Sequence, residues 1–214
     1  MTLVHRRVQP VLAHPDYDVI EEWTVTIVAC PARGDWTTAD EIGGMTLYRM
    51  RPDNPTGYSP PYVAEVDDHW LAEISRFLFD WDSSPRARFA EAVSSTDGDV
   101  LAVHDVRLAA EWQGRGIEAA VLAEAMWALA DGCCAVVADA PVYPCPDHPT
   151  KADTRWPPVP STTHDAVWPG LGFRPFYGMY LLDTARDEPR HLRERARAEL
   201  AALGDTYRNG LPRV

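Results

Sequence analysis

The segment from Val100 to Ala140 constrains the fold more than any other part of the chain. Val100-Leu-Ala-Val-His-Asp-Val-Arg-Leu108 is nearly continuous in apolar residues, as a central strand buried on both faces is. A loop follows. Ile117 to Asp131 then has the length and composition of a helix, with Gly132 placed as its left-handed C′ residue. Cys133 to Ala140 is a second buried strand. A strand–helix–strand unit of this kind places the two strands parallel, joined by a right-handed crossover. The chain has 214 residues, 46% of them hydrophobic, enough to bury the core of one domain without disulfides or metals.

The remaining elements group around this unit. A short strand is expected within Leu3–Leu12, and Trp23-Thr-Val-Thr-Ile-Val-Ala29 alternates and is β-branched, hence a strand. Met45–Met50 is a third strand, antiparallel to the second, and Pro52–Pro61 is a loop. A helix capped by Asp67 or Asp68 carries Leu71, Ile74 and Leu78 on one face, and Ser84-Pro85 opens a shorter one. Pro141 to Pro160 holds seven prolines and reads as a long, stiff loop. A short helix within Ser161–Trp168, a strand over Phe173–Asp183 and a helix over Asp187–Leu203, stopped by Gly204 and followed by a tail, complete the chain. The expectation is a single α/β domain in three parts: 1–98, a core at 99–183, and a C-terminal helix and tail at 184–214.

Charge and cysteine usage narrow the function. The net charge is −12, which opposes binding to phosphate backbones. Residues 1–99 hold eight basic and 17 acidic residues, so most of the excess lies there. Glu65, Asp67, Asp68, Glu73, Asp80 and Asp82 cluster near the first helix, either as a solvated face or as an edge attracting a cationic amine. Lys151 is the only lysine against 19 arginines, a bias expected of a GC-rich bacterial genome. Arg186, Arg190, Arg193, Arg195 and Arg197 alternate with Glu188, Glu194 and Glu199 as on a mixed solvated helix. Cys30, Cys133, Cys134 and Cys145 form no Cys-x-x-Cys pair, and Cys145-Pro-Asp-His148 has no second pair to complete a zinc site. Free thiols, no metal, no signal peptide and no membrane span are expected, hence a cytoplasmic protein.

The chemistry concentrates in Trp112-Gln-Gly-Arg-Gly-Ile-Glu-Ala119, between the central strand and the long helix. Two glycines permit close backbone approach, and the amides and dipole of a helix start favour an anion such as a pyrophosphate. Gly114-Arg-Gly116-Ile-Glu-Ala119 fits the dinucleotide fingerprint G-x-G-x-x-A, with Asp139 placed as the ribose carboxylate. Against an NAD(P)-dependent oxidoreductase, Ala109–Gln113 separate strand from fingerprint, and too few residues follow Asp139 for the remaining parallel strands.

Gln113-Gly-Arg-Gly116-Ile-Glu118, with the strand before it, resembles the [Arg/Gln]-x-x-Gly-x-[Gly/Ala] block of the GNAT superfamily of N-acetyltransferases. Trp168-Pro-Gly-Leu-Gly172-Phe173 is similar to that family's Tyr-x-x-x-Gly-Phe block, in the right order and about fifty residues later. The resemblance covers roughly residues 99–183. It implies a mixed, splayed sheet flanked by helices, with acetyl-CoA or another acyl-CoA as co-substrate. Its binding residues would be Val106, Arg107 and Leu108 at the strand end, and Gln113, Gly114, Arg115, Gly116, Ile117 and Glu118 around the pyrophosphate. The acceptor would be a small-molecule amine or a protein amino group.

Three departures accompany the resemblance. Glu118 replaces Gly or Ala and falls on the helix face of Val121, Leu122, Ala125 and Leu129. It is either a first-turn carboxylate favoured by the helix dipole or a charge opposed to CoA. Trp168 stands where the family often has a tyrosine that protonates the CoA thiolate, which indole cannot do; Tyr177, Tyr180 and Tyr143 are the alternatives. The helices expected within 61–95 follow the second recognisable strand rather than the first. For proton transfer the candidates are His104 and Asp105, assigned to opposite faces of the central strand by its period of two, with Tyr177 as acid; Glu111 lies on the loop, and His164 and Asp165 precede Trp168, where they either line the site or start a short helix.

Overall fold

β-Branched and aromatic residues through Ile20–Ala29, and Ile42, Thr46 and Tyr48 within Asp40–Met50, build two long strands that pair antiparallel, and the sheet grows from them. The computed structural model describes residues 1–7, 18–29, 40–67, 69–109, 112, 117–139 and 167–210. In chain order the elements are β1 (Thr2–Arg7), β2 (Ile20–Ala29), β3 (Asp40–Met50), α1 (Pro60–Asp67), α2 (His69–Leu78), α3 (Ala87–Ala92), β4 (Asp99–Leu108), α4 (Ile117–Leu129), β5 (Cys133–Asp139), β6 (Arg174–Phe176), β7 (Met179–Asp183) and α5 (Asp187–Gly210).

Seven strands form one mixed sheet in the order β1-β2-β3-β4-β5-β7-β6. β4 and β5 are parallel, as the strand–helix–strand unit requires, and every other neighbouring pair is antiparallel. The neighbour of β5 on its far side is β7, antiparallel. The parallel continuation that a dinucleotide fold needs is therefore replaced by a hairpin.

Helices cover both faces. α4 is apolar all round and mostly buried: Ala120, Val121, Leu122, Ala123, Ala125 and Met126 join a core with Val25, Leu47, Leu101 and Val103, and α5 lies along its outer side. The opposite core sets Leu71, Ile74, Leu78 and Phe89 of α2 and α3 against Val100, Ala102, Ala135 and Val137. At the sheet end where β4 begins, buried Glu21 is held between Arg7 and Arg51, while Arg49 donates to Asp99 at 2.5 Å and to the Asp131 carbonyl at 2.9 Å.

Several expected boundaries move. β3 starts at Asp40, because Gly43 and Gly44 continue the ladder where a close approach excludes side chains. Pro60 and Pro61, expected at the end of the loop, open the helix Pro60–Asp67, and Asp67 ends α1 instead of capping α2. α3 begins after Arg86, since Pro85 pairs with Phe79 in an isolated β-bridge rather than opening the helix. The strand expected over Phe173–Asp183 is a hairpin: Phe176 pairs with Met179 across Tyr177-Gly178, both at positive φ (46° and 84°), a two-residue turn of type I′. Gly204 does not stop α5, which runs to Gly210. The helices do follow β3 rather than β1. The proline-rich stretch 141–160 and most of 161–168 lie outside the described residues, as do Cys30, Cys145 and His148. Among the described residues no group of His, Cys, Asp and Glu is arranged to hold a metal ion, and no helix is long and apolar enough to cross a membrane.

Candidate active site

The central strand is irregular where the candidate residues lie. Apolar residues recur at 101, 103, 106 and 108, so the spacing changes from two to three across His104–Asp105. A regular strand would send Val106 and Leu108 to the face opposite Leu101 and Val103. The structure resolves this with a β-bulge. His104 pairs with Thr46 and Arg107 with Gly44, so Met45 opposes two residues, and Asp105 takes a left-handed φ of 54°. All four apolar side chains then reach the α4 core.

The bulge also corrects the assignment of His104 and Asp105 to opposite faces. Asp105 turns to Arg107, whose Nε donates to its Oδ1 at 2.7 Å. Arg107 is only 8% exposed, so its guanidinium is neutralised where it is buried. A Cβ at Gly43 would collide with the Arg107 carbonyl, which makes Gly43 part of the same construction. Sequence reasoning missed Gly43 and Gly44, although a Gly-Gly pair inside a strand pattern signals such an approach.

The β4–β5 ladder runs from Asp99↔Cys133 to Val103↔Ala138 and stops. His104 to Leu108 extend past it, and among the described residues no strand pairs with them on that side. This is the carboxyl end of two parallel strands, where open α/β sheets bind ligands. The chain leaves β4 with the Ala109 amide bonded to the Ile42 carbonyl at 2.7 Å, and the Trp112 amide bonded to the Ala109 carbonyl at 2.8 Å. Gln113, Gly114, Arg115 and Gly116, together with Glu111, lie outside the described residues. α4 then starts at Ile117, and Glu118 in its first turn is 4% exposed, on the inner face as the helical spacing requires.

His104 is half-buried, its ring against Trp70 of α2 with centroids 4.0 Å apart and against Tyr48 of β3 at 6.3 Å. Tyr177 stands elsewhere. It is 52% exposed, stacks on Phe77 at 6.4 Å and carries the Arg88 guanidinium over its ring at 5.0 Å. Trp70 and Phe77 are seven residues apart on α2, about 10 Å of helix rise. The structure therefore sets His104 and Tyr177 on one side of the sheet but at opposite ends of α2. Tyr180 packs on the other face, its ring 6.4 Å from Trp168. Tyr143, His164 and Asp165 lie outside the described residues.

Trp168 is a core residue, 2% exposed and edge-on to Phe173 at 5.0 Å. The Phe173 amide bonds back to its carbonyl at 3.1 Å, closing the turn that contains Gly172. Gly172 has a φ of 91°, and a Cβ there would lie 3.1 Å from Pro189 Cγ of α5. The tryptophan–glycine block thus seats α5 on the sheet. The acidic edge is largely paired among the described residues: Glu65 with Arg76, Asp80 with Arg86, and Asp82 with Ser84, whose side-chain and backbone bonds hold its carboxyl below the usual range. On α5, Arg193 and Arg197 converge on Glu124 of α4.

Comparison of the chain with protein-family models, with curated proteins and with solved structures finds no match in any of the three.

Proposed function

We propose that the chain is an N-acyltransferase that moves an acyl group from acyl-CoA to an amine, in the manner of the GNAT superfamily its motifs resemble. The observation that carries this reading is the opening beside β4: the parallel ladder ends at Val103↔Ala138, and the bulged segment His104–Leu108 runs on beyond it. The α4 start lies one short loop beyond that segment, with the orientation an anion prefers. A neutral amine then attacks the thioester carbonyl, the carbon–sulfur bond breaks, and the thiolate leaves and takes a proton. In this reading His104 accepts the proton of the amine. Asp105 holds the bulge through Arg107. Tyr177 and Tyr180, on opposite faces of the hairpin, are the candidate proton donors, a role that buried Trp168 cannot fill.

A second reading is supported by Glu118: a chain of the same fold that has lost CoA and acts as a binding module. A carboxylate about 4 Å from a phosphate at an effective dielectric of 20 costs about 4 kcal/mol. Calorimetry with acetyl-CoA separates the two. Saturable binding at micromolar concentration supports the transferase. No binding up to about 1 mM, the upper end of ordinary substrate affinities, overturns it. If Glu118→Ala then binds acetyl-CoA, the binding module stands.

A further inference from the structure

The β1–β3 end of the sheet on the α2 side carries a set of side chains that, His104 apart, the reaction above does not use. Glu22 of β2 pairs directly with Tyr48 of β3, and Thr46, two residues before Tyr48, pairs with His104. Partners in such rows point to one face. Trp70 closes the group from above, its ring centroid 6.2 Å from Tyr48 and 4.0 Å from His104. Three aromatic rings from three elements, each half-buried, thus form one group, and Tyr48 at its edge is the cross-strand partner of the exposed carboxylate Glu22. Among the described residues Glu22 makes no ion pair. Arg6 of β1, opposite Thr24 and diagonal to Glu22 on the same face, makes none either.

We infer that this is a subsite for an organic ammonium group and that the amine acceptor is an aliphatic diamine. Ring faces attract a cation by their quadrupole, and a desolvated alkylammonium gains more from them than a hydrated metal ion does. Glu22 supplies the full negative charge that the rings lack. The net charge of −12 draws such a ligand toward the protein. With one ammonium held at Glu22 and Tyr48, a short methylene chain lies along Tyr48 and Trp70 and brings the second nitrogen to His104. A monoamine fills one end of the subsite and cannot reach both. The acceptor role rests on the acyltransferase reading; the cation site does not.

Calorimetry of the intact chain with 1,4-diaminobutane and, separately, with 1-aminobutane tests the inference without CoA. Saturable binding of the diamine, at least tenfold tighter than the monoamine, is expected. Glu22→Gln should weaken the diamine about fivefold, the effect of losing one exposed ion pair. Arg6→Ala, which removes a like charge diagonal to Glu22 on the same face, should tighten it. Both residues are exposed, so neither substitution threatens folding. Equal affinity for the two amines, or a diamine affinity indifferent to Glu22→Gln, overturns the inference. Diamine binding in a chain that does not bind acetyl-CoA overturns the acyltransferase alone. Acetyl-CoA binding without diamine binding overturns the cation site alone.

Discussion

The imidazole of His104 lies against the indole of Trp70 with ring centroids 4.0 Å apart and planes inclined by 30°. The contact joins the central strand, one residue past the end of its ladder with β5, to the first turn of α2. It fixes the imidazole beside the point where β4 and β5 part. It also anchors α2 over the sheet at the end opposite its Phe77–Tyr177 contact.

Removing that contact should loosen α2 measurably. Trp70→Ala is expected to cost about 2 kcal/mol and His104→Ala about 1 kcal/mol, since both rings are half-buried and aromatic pairs add about 0.5–1.5 kcal/mol beyond their area. A double-mutant cycle by urea denaturation should return a coupling of about 1 kcal/mol. Additive losses would mean that the rings touch without stabilising each other.

The bulge at Asp105 makes a second test. Asparagine tolerates a left-handed φ but loses the charge on the bond to buried Arg107, so Asp105→Asn should cost about 1–2 kcal/mol. Valine loses the bond and also clashes in that conformation, so Asp105→Val should cost about 3 kcal/mol or more. Equal midpoints for the two variants in chemical denaturation would contradict the left-handed backbone.

The bulge also shows what was legible in the sequence. The change of apolar spacing from two to three between Val103 and Val106 is written in the chain, and it specifies the slip at Asp105 once both faces are required to be buried. The parallel β4–α4–β5 unit was equally legible, because a continuous apolar strand, a helix apolar but for Glu118 and Glu124, and a second apolar strand admit little else. What was not legible depends on contacts between distant segments. Phe173–Asp183 has the composition of one strand, and only the pairing of β7 with β5 forces Tyr177-Gly178 to turn. Trp168 and Gly172 fitted a motif; their surroundings are the hydrophobic core and α5, which a motif does not record. The aromatic group at Tyr48, Trp70 and His104 draws one residue from each of three elements, so no local pattern announced it.

Gly172 should resist substitution on two grounds. Its φ of 91° suits no L side chain, and a Cβ would press on Pro189 and Leu192 of α5 at 3.1–3.3 Å. Gly172→Ala is expected to destabilise by about 2–3 kcal/mol. Because α5 itself must move, limited proteolysis should release the C-terminal helix from the variant before the rest of the domain is cut. Simultaneous loss of both would mean that α5 is not a separable element.

The buried thiols of Cys133 and Cys134 give stability a specific dependence on pH. Burial, the largest influence on each, pushes their pKa values from 9.0 up to about 12 and about 11. In the folded chain both stay protonated at a pH where the unfolded chain has released both protons. The folded state then holds more protons, so stability falls as pH rises. The contribution is fully present below about pH 9, the unfolded value, and is lost progressively toward pH 11–12. With both thiols titrating in the unfolded chain the slope reaches about 2.7 kcal/mol per pH unit. Urea midpoints measured from pH 8 to pH 11 should therefore fall more steeply for the natural chain than for a Cys133→Ala, Cys134→Ala double variant, in which tyrosine ionisation still acts but the thiols do not. Parallel curves would show that the two sulfurs reach solvent in the folded state.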